Sequence, residues 1–249
     1  MPRESKARAL CEALGVKILQ VGPGWAALEK PCGVSVHNAP GQDLVSLLER
    51  LLETEPEILG QTDGVGSVHA VHRLDADTSG VVLFAFGKEA ARQLTRQFEE
   101  KRVQKKYTAL LHGLLEEKGG FWCFPLAKEA GGRSHAAGSG RRQPCETRYE
   151  VMARTCRYTL ICCSPLTGRK HQIRRHACLA GHTIIGDRRY GSKRALSVLK
   201  ERFDYKRLSL HAWHLTFTPP GSDSPLTIVT AQVPQEMRRL MDIDSRSQG

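Results

Sequence analysis

Residues 70–86 read AVHRLDADTSGVVLFAF. The last six, Val81 to Phe86, are apolar without interruption and bounded by glycines, which predicts a strand buried on both faces. Yet Arg73, Asp75 and Asp77 stand at the entrance to that run. An ionised group loses several kcal/mol on leaving water unless partners replace its hydration. The segment therefore either ends a strand with ion pairs or holds a charge where chemistry needs one.

Two readings of the carboxylates follow. In an extended segment Asp75 and Asp77 would share a face, as the paired acids of a hydrolase might. Adjacent carboxylates repel, however, and Arg73 flanks the same face, so a single working Asp balanced by an arginine is the more comfortable arrangement. Metal chemistry is not expected. His171 and His176 are five apart with no H-E-x-x-H pattern, and His211 and His214, three apart on an expected strand, point to opposite faces. The eight cysteines form no C-x-x-C pair, and several sit in apolar runs such as YTLICCSPL, which suits reduced thiols in the cytoplasm.

Charge narrows the partners. The chain has 37 Lys and Arg against 26 Asp and Glu, a net +11 over 249 residues, which favours a polyanion such as nucleic acid. The cations are clustered: Lys101, Arg102, Lys105 and Lys106; then Arg169, Lys170, Arg174 and Arg175; then Arg188, Arg189, Lys193 and Arg194. Tyr107, Tyr190 and Trp213 are interleaved with them, a pattern that suits phosphate contacts with base stacking. No stretch approaches the roughly 20 apolar residues of a membrane span, and the N-terminus has no apolar core of a secretion signal.

The rest of the chain reads as interleaved strands and helices without a regular βαβ rhythm, an α+β class. DLVSLLERLLETEPEIL (43–59) predicts an amphipathic helix capped by Asp43, KEAARQLTRQFEEKR (88–102) a second, and GRKHQIRRHACLAGH (168–182) a third. QTDGVGSV (61–68) reads as a loop. KEAGGRSHAAGSGRRQP (128–144) reads as a mobile surface loop.

Taken together, the segments resemble the RluA-type pseudouridine synthases, which isomerise uridine in structured RNA. HRLDADTSG (72–80) is similar to the family's H-R-L-D-x-x-T-S-G signature. KKYTALLHG (105–113) resembles its K-x-Y strand, and SPLTGRKHQIRRHACLAGHTIIGDRRYG (164–191) its third motif. Weaker echoes are LEKPCGVSVH (28–37) and LSLHAWHLTF (208–217). Glu29 and Asn38 depart from the usual first motif, and about fifteen residues stand where many relatives carry a small RNA-binding domain.

The resemblance implies the pseudouridine synthase catalytic fold: a mixed, mostly antiparallel central sheet flanked by helices and loops, over residues 16–235. An N-terminal extension (1–15) and a C-terminal tail (236–249) are set outside it. It implies that Asp75 is the catalytic aspartate, Tyr107 the tyrosine stacked on the target base, and Arg174 the arginine paired with the aspartate, the three meeting at a cleft. Arg73 would enter the RNA stack when the uridine flips. His72, Lys105, Lys106, Arg169, Lys170, His171 and Arg175 are the further residues expected to bind RNA, while Asp77 inherits no catalytic role. No cofactor, metal, membrane or obligate protein partner is expected; the partner is structured ribosomal or transfer RNA, and a monomer is the default. An RNA-binding protein of the same fold without catalysis is the main alternative.

Overall fold

The computed structural model describes residues 11–12, 14–59 and 67–246. Most of the expected N-terminal extension and of the 61–68 loop lies outside the described residues. Two compact units emerge, each assembled from two stretches of chain. The first runs to Gln104 and includes His214–Thr230; the second comprises Lys105–Trp213 and Ala231 onward. All three boundaries fall inside the segment 16–235 that the sequence presents as one domain.

In the first unit, β1 (Lys17–Gly22), β2 (Trp25–Lys30) and β4 (Ser79–Phe86) pair antiparallel in that order, and β3 (Val68–Ala70) pairs with β4. Every residue of β4 is buried, as its apolar run requires. Its side chains join Trp25, Ala27, Leu94 and Phe217 in one core, where the Trp25 and Phe217 rings meet edge to face at 5.1 Å. Two helices belong to this unit. α1 (Leu44–Thr54) buries Leu44, Leu47, Leu48 and Leu51, and the Asp43 carboxylate accepts from Ser46 N as its N-cap. Pro56 then turns the chain into a short 3-10 segment. α2 (Lys88–Glu99) packs Ala90 and Leu94 inward.

The second unit is built on β5 (Gln104–His112), β6 (Gly119–Trp122), β9 (Thr147–Arg154) and β10 (Tyr158–Pro165), ordered β5-β10-β9-β6 and antiparallel throughout. The short β7 (Leu126–Ala127) and β8 (Arg142–Gln143) pair separately. α3 (Gln172–Leu179), α4 (Lys193–Phe203) and α5 (Gln235–Arg246) complete it. β11 (Leu210–Phe217) begins in this unit, and its last four residues pair with β12 (Leu226–Val229) in the first.

The α+β class and the antiparallel pairing agree with expectation, and three local expectations change. The third helix starts at Gln172 rather than 168, because His171 takes a left-handed conformation (φ 54°, ψ 28°). The segment expected as a tail from 236 carries α5, whose Met237 and Leu240 join Leu110, Leu160 and Leu199 in a core. Asp244, near its end, accepts from the Arg157 side chain and from Thr155 Oγ1. Segment 128–144 is not a free loop: β7–β8 close its base, and two arginines hold it.

Candidate active site

The H-R-L-D turn belongs to the first unit, and buried side chains hold it. Leu74 points into the core, while Asp75 is half-buried and Arg73 exposed. Thr78 N donates to Asp75 O at 3.0 Å, which closes the turn. Lys30, fully buried at the end of β2, donates from Nζ to Val34 O and Ala76 O at 2.7 Å and to Pro31 O at 2.9 Å. An ammonium has three donors, and here each finds a carbonyl. Gly33 N adds a second bond to Ala76 O. The backbone immediately after Asp75 is thereby fixed to β2 and to the K-P-x-G turn. Sequence reasoning quoted that motif without giving Lys30 a role; its only signal was a lysine closing a strand otherwise buried almost throughout.

His72 is engaged within the first unit. Its Nε2 accepts from Leu83 N at 2.9 Å, and its ring stacks on Phe98 with centroids 4.7 Å apart. A nitrogen that accepts an amide proton carries none itself, and the imidazole ties the turn to β4 and α2.

The second unit carries Tyr107 and Arg174. Tyr107 is buried in β5 opposite Cys163 of β10. Its neighbours Lys105 and Lys106 are half-buried. Burial pushes the Lys105 ammonium below its ordinary pKa, and Lys106 Nζ lies 6.0 Å from the Trp213 ring centroid. At the head of α3, where His171 supplies no side-chain cap, Gln172 ties the first helical residue to the chain before it and to β9. Its Oε1 accepts from Arg169 N and Thr167 Oγ1, and its Nε2 donates to Glu146 O and Thr147 Oγ1. His171 Nδ1 lies 3.0 Å from Tyr190 Oη.

Arg174 is 5% exposed and forms a fork with Asp187: Nε to Oδ2 at 2.8 Å and Nη2 to Oδ1 at 2.9 Å. Asp187 has no exposed side-chain surface, and its Oδ1 also accepts from the amides of Arg189 and Tyr190. The Tyr190 ring lies under the guanidinium, 5.3 Å from its Cζ. Gly191 permits this tight turn, since a Cβ there would stand 2.4 Å from Asp187 O. The cation is thus immobilised in plane and in position. Asp187 was legible only as the lone acid in GDRRYG, and no local pattern marks it as the partner of a residue thirteen positions earlier.

The remaining cations divide. Arg169 and Lys170 are exposed. Arg175 is fully buried and donates to four backbone carbonyls, those of Ala127, Ala136, Ala137 and Lys170. With four of its five N–H donors so committed, it does not serve as the RNA contact that its sequence neighbours suggest. His176, also buried, has its pKa pushed down to about 4, chiefly by burial and further by Arg175, against the bond to Phe124 O. It stays neutral as a bridge between Thr147 and Phe124.

Residues 24–178, a span that includes Asp75, Tyr107 and Arg174, match the family model described as RNA pseudouridylate synthase. The chain belongs to this family. It is 38% identical over 234 residues to the ribosomal large subunit pseudouridine synthase C of Salmonella typhi, covering 93% of this chain and 70% of that one. To the tRNA pseudouridine synthase C of Yersinia pestis it is 35% identical over 233 residues, covering 86% and 85%. Among solved structures, human RNA pseudouridylate synthase domain containing 4 superposes with a TM-score of 0.73 at 25% identity, over 97% of both chains. The family is one of RNA isomerases. Among the described residues no helix is long and apolar enough to cross a membrane.

Proposed function

We propose that this chain converts specific uridines of ribosomal or transfer RNA to pseudouridine, with Asp75, Tyr107 and Arg174 carrying the reaction. The observation that carries the reading is the complete H-R-L-D-x-x-T-S-G turn, with Asp75 half-buried on a backbone that Lys30 fixes from below. The N1–C1′ bond breaks, the uracil turns, C5 joins C1′, and the proton on C5 is lost while N1 gains one. The exchange is redox-neutral and balances without a cofactor. A carboxylate serves either as the nucleophile at C1′ or as a base on the sugar. The buried Tyr107 offers a ring to the base, and Arg174 supplies a fixed positive charge that needs no reorganisation during the reaction.

RNA contacts fall to the exposed cations. The exposed Arg73, two residues before Asp75, is placed to take the position of a flipped uridine, offsetting the few kcal/mol that flipping costs. Arg169 and Lys170 face solvent and suit phosphates; the half-buried Lys105, Lys106 and His171 are further candidates. The names of the relatives point to both ribosomal and transfer RNA as substrates to try. We place the activity in the cytoplasm, with a single chain as the working unit.

The test is tritium release from RNA labelled at C5 of uridine. Wild type should release tritium and Asp75→Asn should not, while Asp77→Asn should stay near wild type. Loss of activity in Asp77→Asn equal to that in Asp75→Asn would favour paired carboxylates instead. Binding without release, across both ribosomal and transfer RNA, would favour the non-catalytic reading.

A further inference from the structure

The stretch 128–144 reads as a mobile loop, with four glycines and few apolar residues, but segment 126–143, which holds nearly all of it, is built as a fixed object. β7 and β8 close its base, with Leu126 opposite Gln143 and Ala127 opposite Arg142. A short 3-10 turn, Arg133–His135, shapes its tip. From below, the buried Arg175 donates to Ala136 O at 2.6 Å, Ala137 O at 2.7 Å and Ala127 O at 3.1 Å. From the side, the Arg189 guanidinium donates to Gly131 O at 2.9 Å and to Ala130 O. Gly138, at φ 76°, lies so close to this clamp that a Cβ would stand 2.1 Å from Glu129 O and 2.9 Å from Arg175 Nη2.

What the segment presents is positive charge. Lys128, Arg133, Arg141 and Arg142 are exposed, and Glu129 is its only acid. Among the described residues none of these four cations takes part in an ion pair. A full guanidinium buried to fix a surface element is a costly device unless that element must be rigid. Rigidity helps binding by removing the ordering cost a flexible loop would meet on contact. The segment has no Phe, Tyr or Trp, and beside the single ring of His135 its exposed charged side chains are mostly cations, so its chemistry is weighted to phosphates over base sequence.

We propose that residues 126–143 form a preorganised arm that binds the phosphate backbone of the RNA substrate, with Lys128, Arg133, Arg141 and Arg142 as the contacts and Arg175 as the residue that holds them in place. This inference rests on RNA being the substrate, and not on the assignment of the catalytic residues. Arg175 directly follows the H-Q-I-R element. α3 thereby carries both the site's arginine and the arm's anchor.

The experiment measures binding of a fluorescein-labelled transfer RNA transcript and of an unrelated RNA stem-loop by anisotropy, across a salt series. The Arg133→Gln, Arg141→Gln, Arg142→Gln triple variant should bind both RNAs about tenfold more weakly or worse, with the salt slope reduced by about two to three. Affinity within about twofold of wild type at an unchanged slope would overturn the proposal, as would a loss confined to one RNA. Arg175→Met should weaken binding too, but should add no further loss in the triple background. If Arg175→Met does not fold, Gly138→Ala displaces the arm without altering the core. A folded Arg175→Met or Gly138→Ala protein that binds as wild type does would overturn the anchoring role. Tritium release separates the two readings: a triple variant with normal binding and a wild type that still releases tritium would sink the arm alone. Wild type that binds through the arm without release would sink only the isomerase reading.

Discussion

Arg174 and Arg175 are consecutive residues of α3, both buried, and their guanidinium groups engage opposite kinds of partner. Arg174 forks onto the Asp187 carboxylate, whereas Arg175 is surrounded by backbone carbonyls of segment 126–143 and of Lys170. Successive positions on a helix differ by about 100° in direction, so one turn of α3 can serve a charged site on one side and an anchoring role on the other.

The Arg174–Asp187 pair has a testable cost. Asp187→Asn keeps the shape of the side chain but removes the carboxylate from a buried guanidinium, and breaking such a pair destabilises by about 3–5 kcal/mol. Urea unfolding should show that loss, and the residual folded protein should release tritium more slowly. Stability within about 1 kcal/mol of wild type would mean the pair contributes little.

Lys30 should matter for turnover although it is buried beneath the turn. Lys30→Met removes the donor to the carbonyls of Pro31, Val34 and Ala76, the last of them beside Asp75. Leaving buried acceptors unsatisfied costs about 1–3 kcal/mol, and the turn should loosen. The expected signature is a fall in kcat larger than any change in RNA affinity, measured by single-turnover assay and anisotropy. A variant with unchanged kcat would show that the turn holds without it.

His72 should behave as a structural residue. His72→Phe keeps a ring over Phe98 but loses the acceptor for Leu83 N. Stability should fall by about 1–2 kcal/mol, while RNA affinity of the folded protein stays within about twofold. A tenfold loss of affinity would return His72 to the RNA contacts.

Acid should destabilise the fold in a window set by two buried histidines. His176 and His211 both have pKa values pushed down to about 4, chiefly by burial and further by nearby Arg175 and Arg207. Unfolded histidine titrates near 6.5, so between these values the unfolded chain binds more protons. Stability is therefore fully present above about pH 6.5 and falls toward pH 4, by on the order of 3 kcal/mol per histidine. Melting temperatures from pH 7.5 to 4 should drop across that range, and His211→Asn should flatten part of the drop. A flat profile down to pH 5 would contradict the assignment.

Much of the molecule is readable from neighbouring residues alone. Val81–Phe86 had to be an interior strand, Asp43 followed by leucines three and four apart had to begin a helix, and the H-R-L-D signature located Asp75. Short-range features of this kind carry their own physical cause: an apolar run must leave water, and an N-cap lies three residues from the amide it satisfies. The helix α5 was missed because its apolar residues are few and its charges many, so that only its packing against Leu110 and Leu160 gives Met237 and Leu240 a place.

The fate of the charged side chains, in contrast, was decided by tertiary structure. The run Arg169, Lys170, Arg174, Arg175 reads as one basic stripe, yet two of its members face solvent, one meets Asp187, and one meets carbonyls 38 to 48 residues away. Likewise, His72 became a backbone acceptor and Lys30 the support of Asp75, through partners 11 and 46 residues away. Sequence determines that a cation is present and where along the chain it stands. Whether it binds a phosphate, pairs with a carboxylate or anchors a loop depends on which acceptors the fold brings within about 3 Å, and that proximity exists only once the chain has closed on itself.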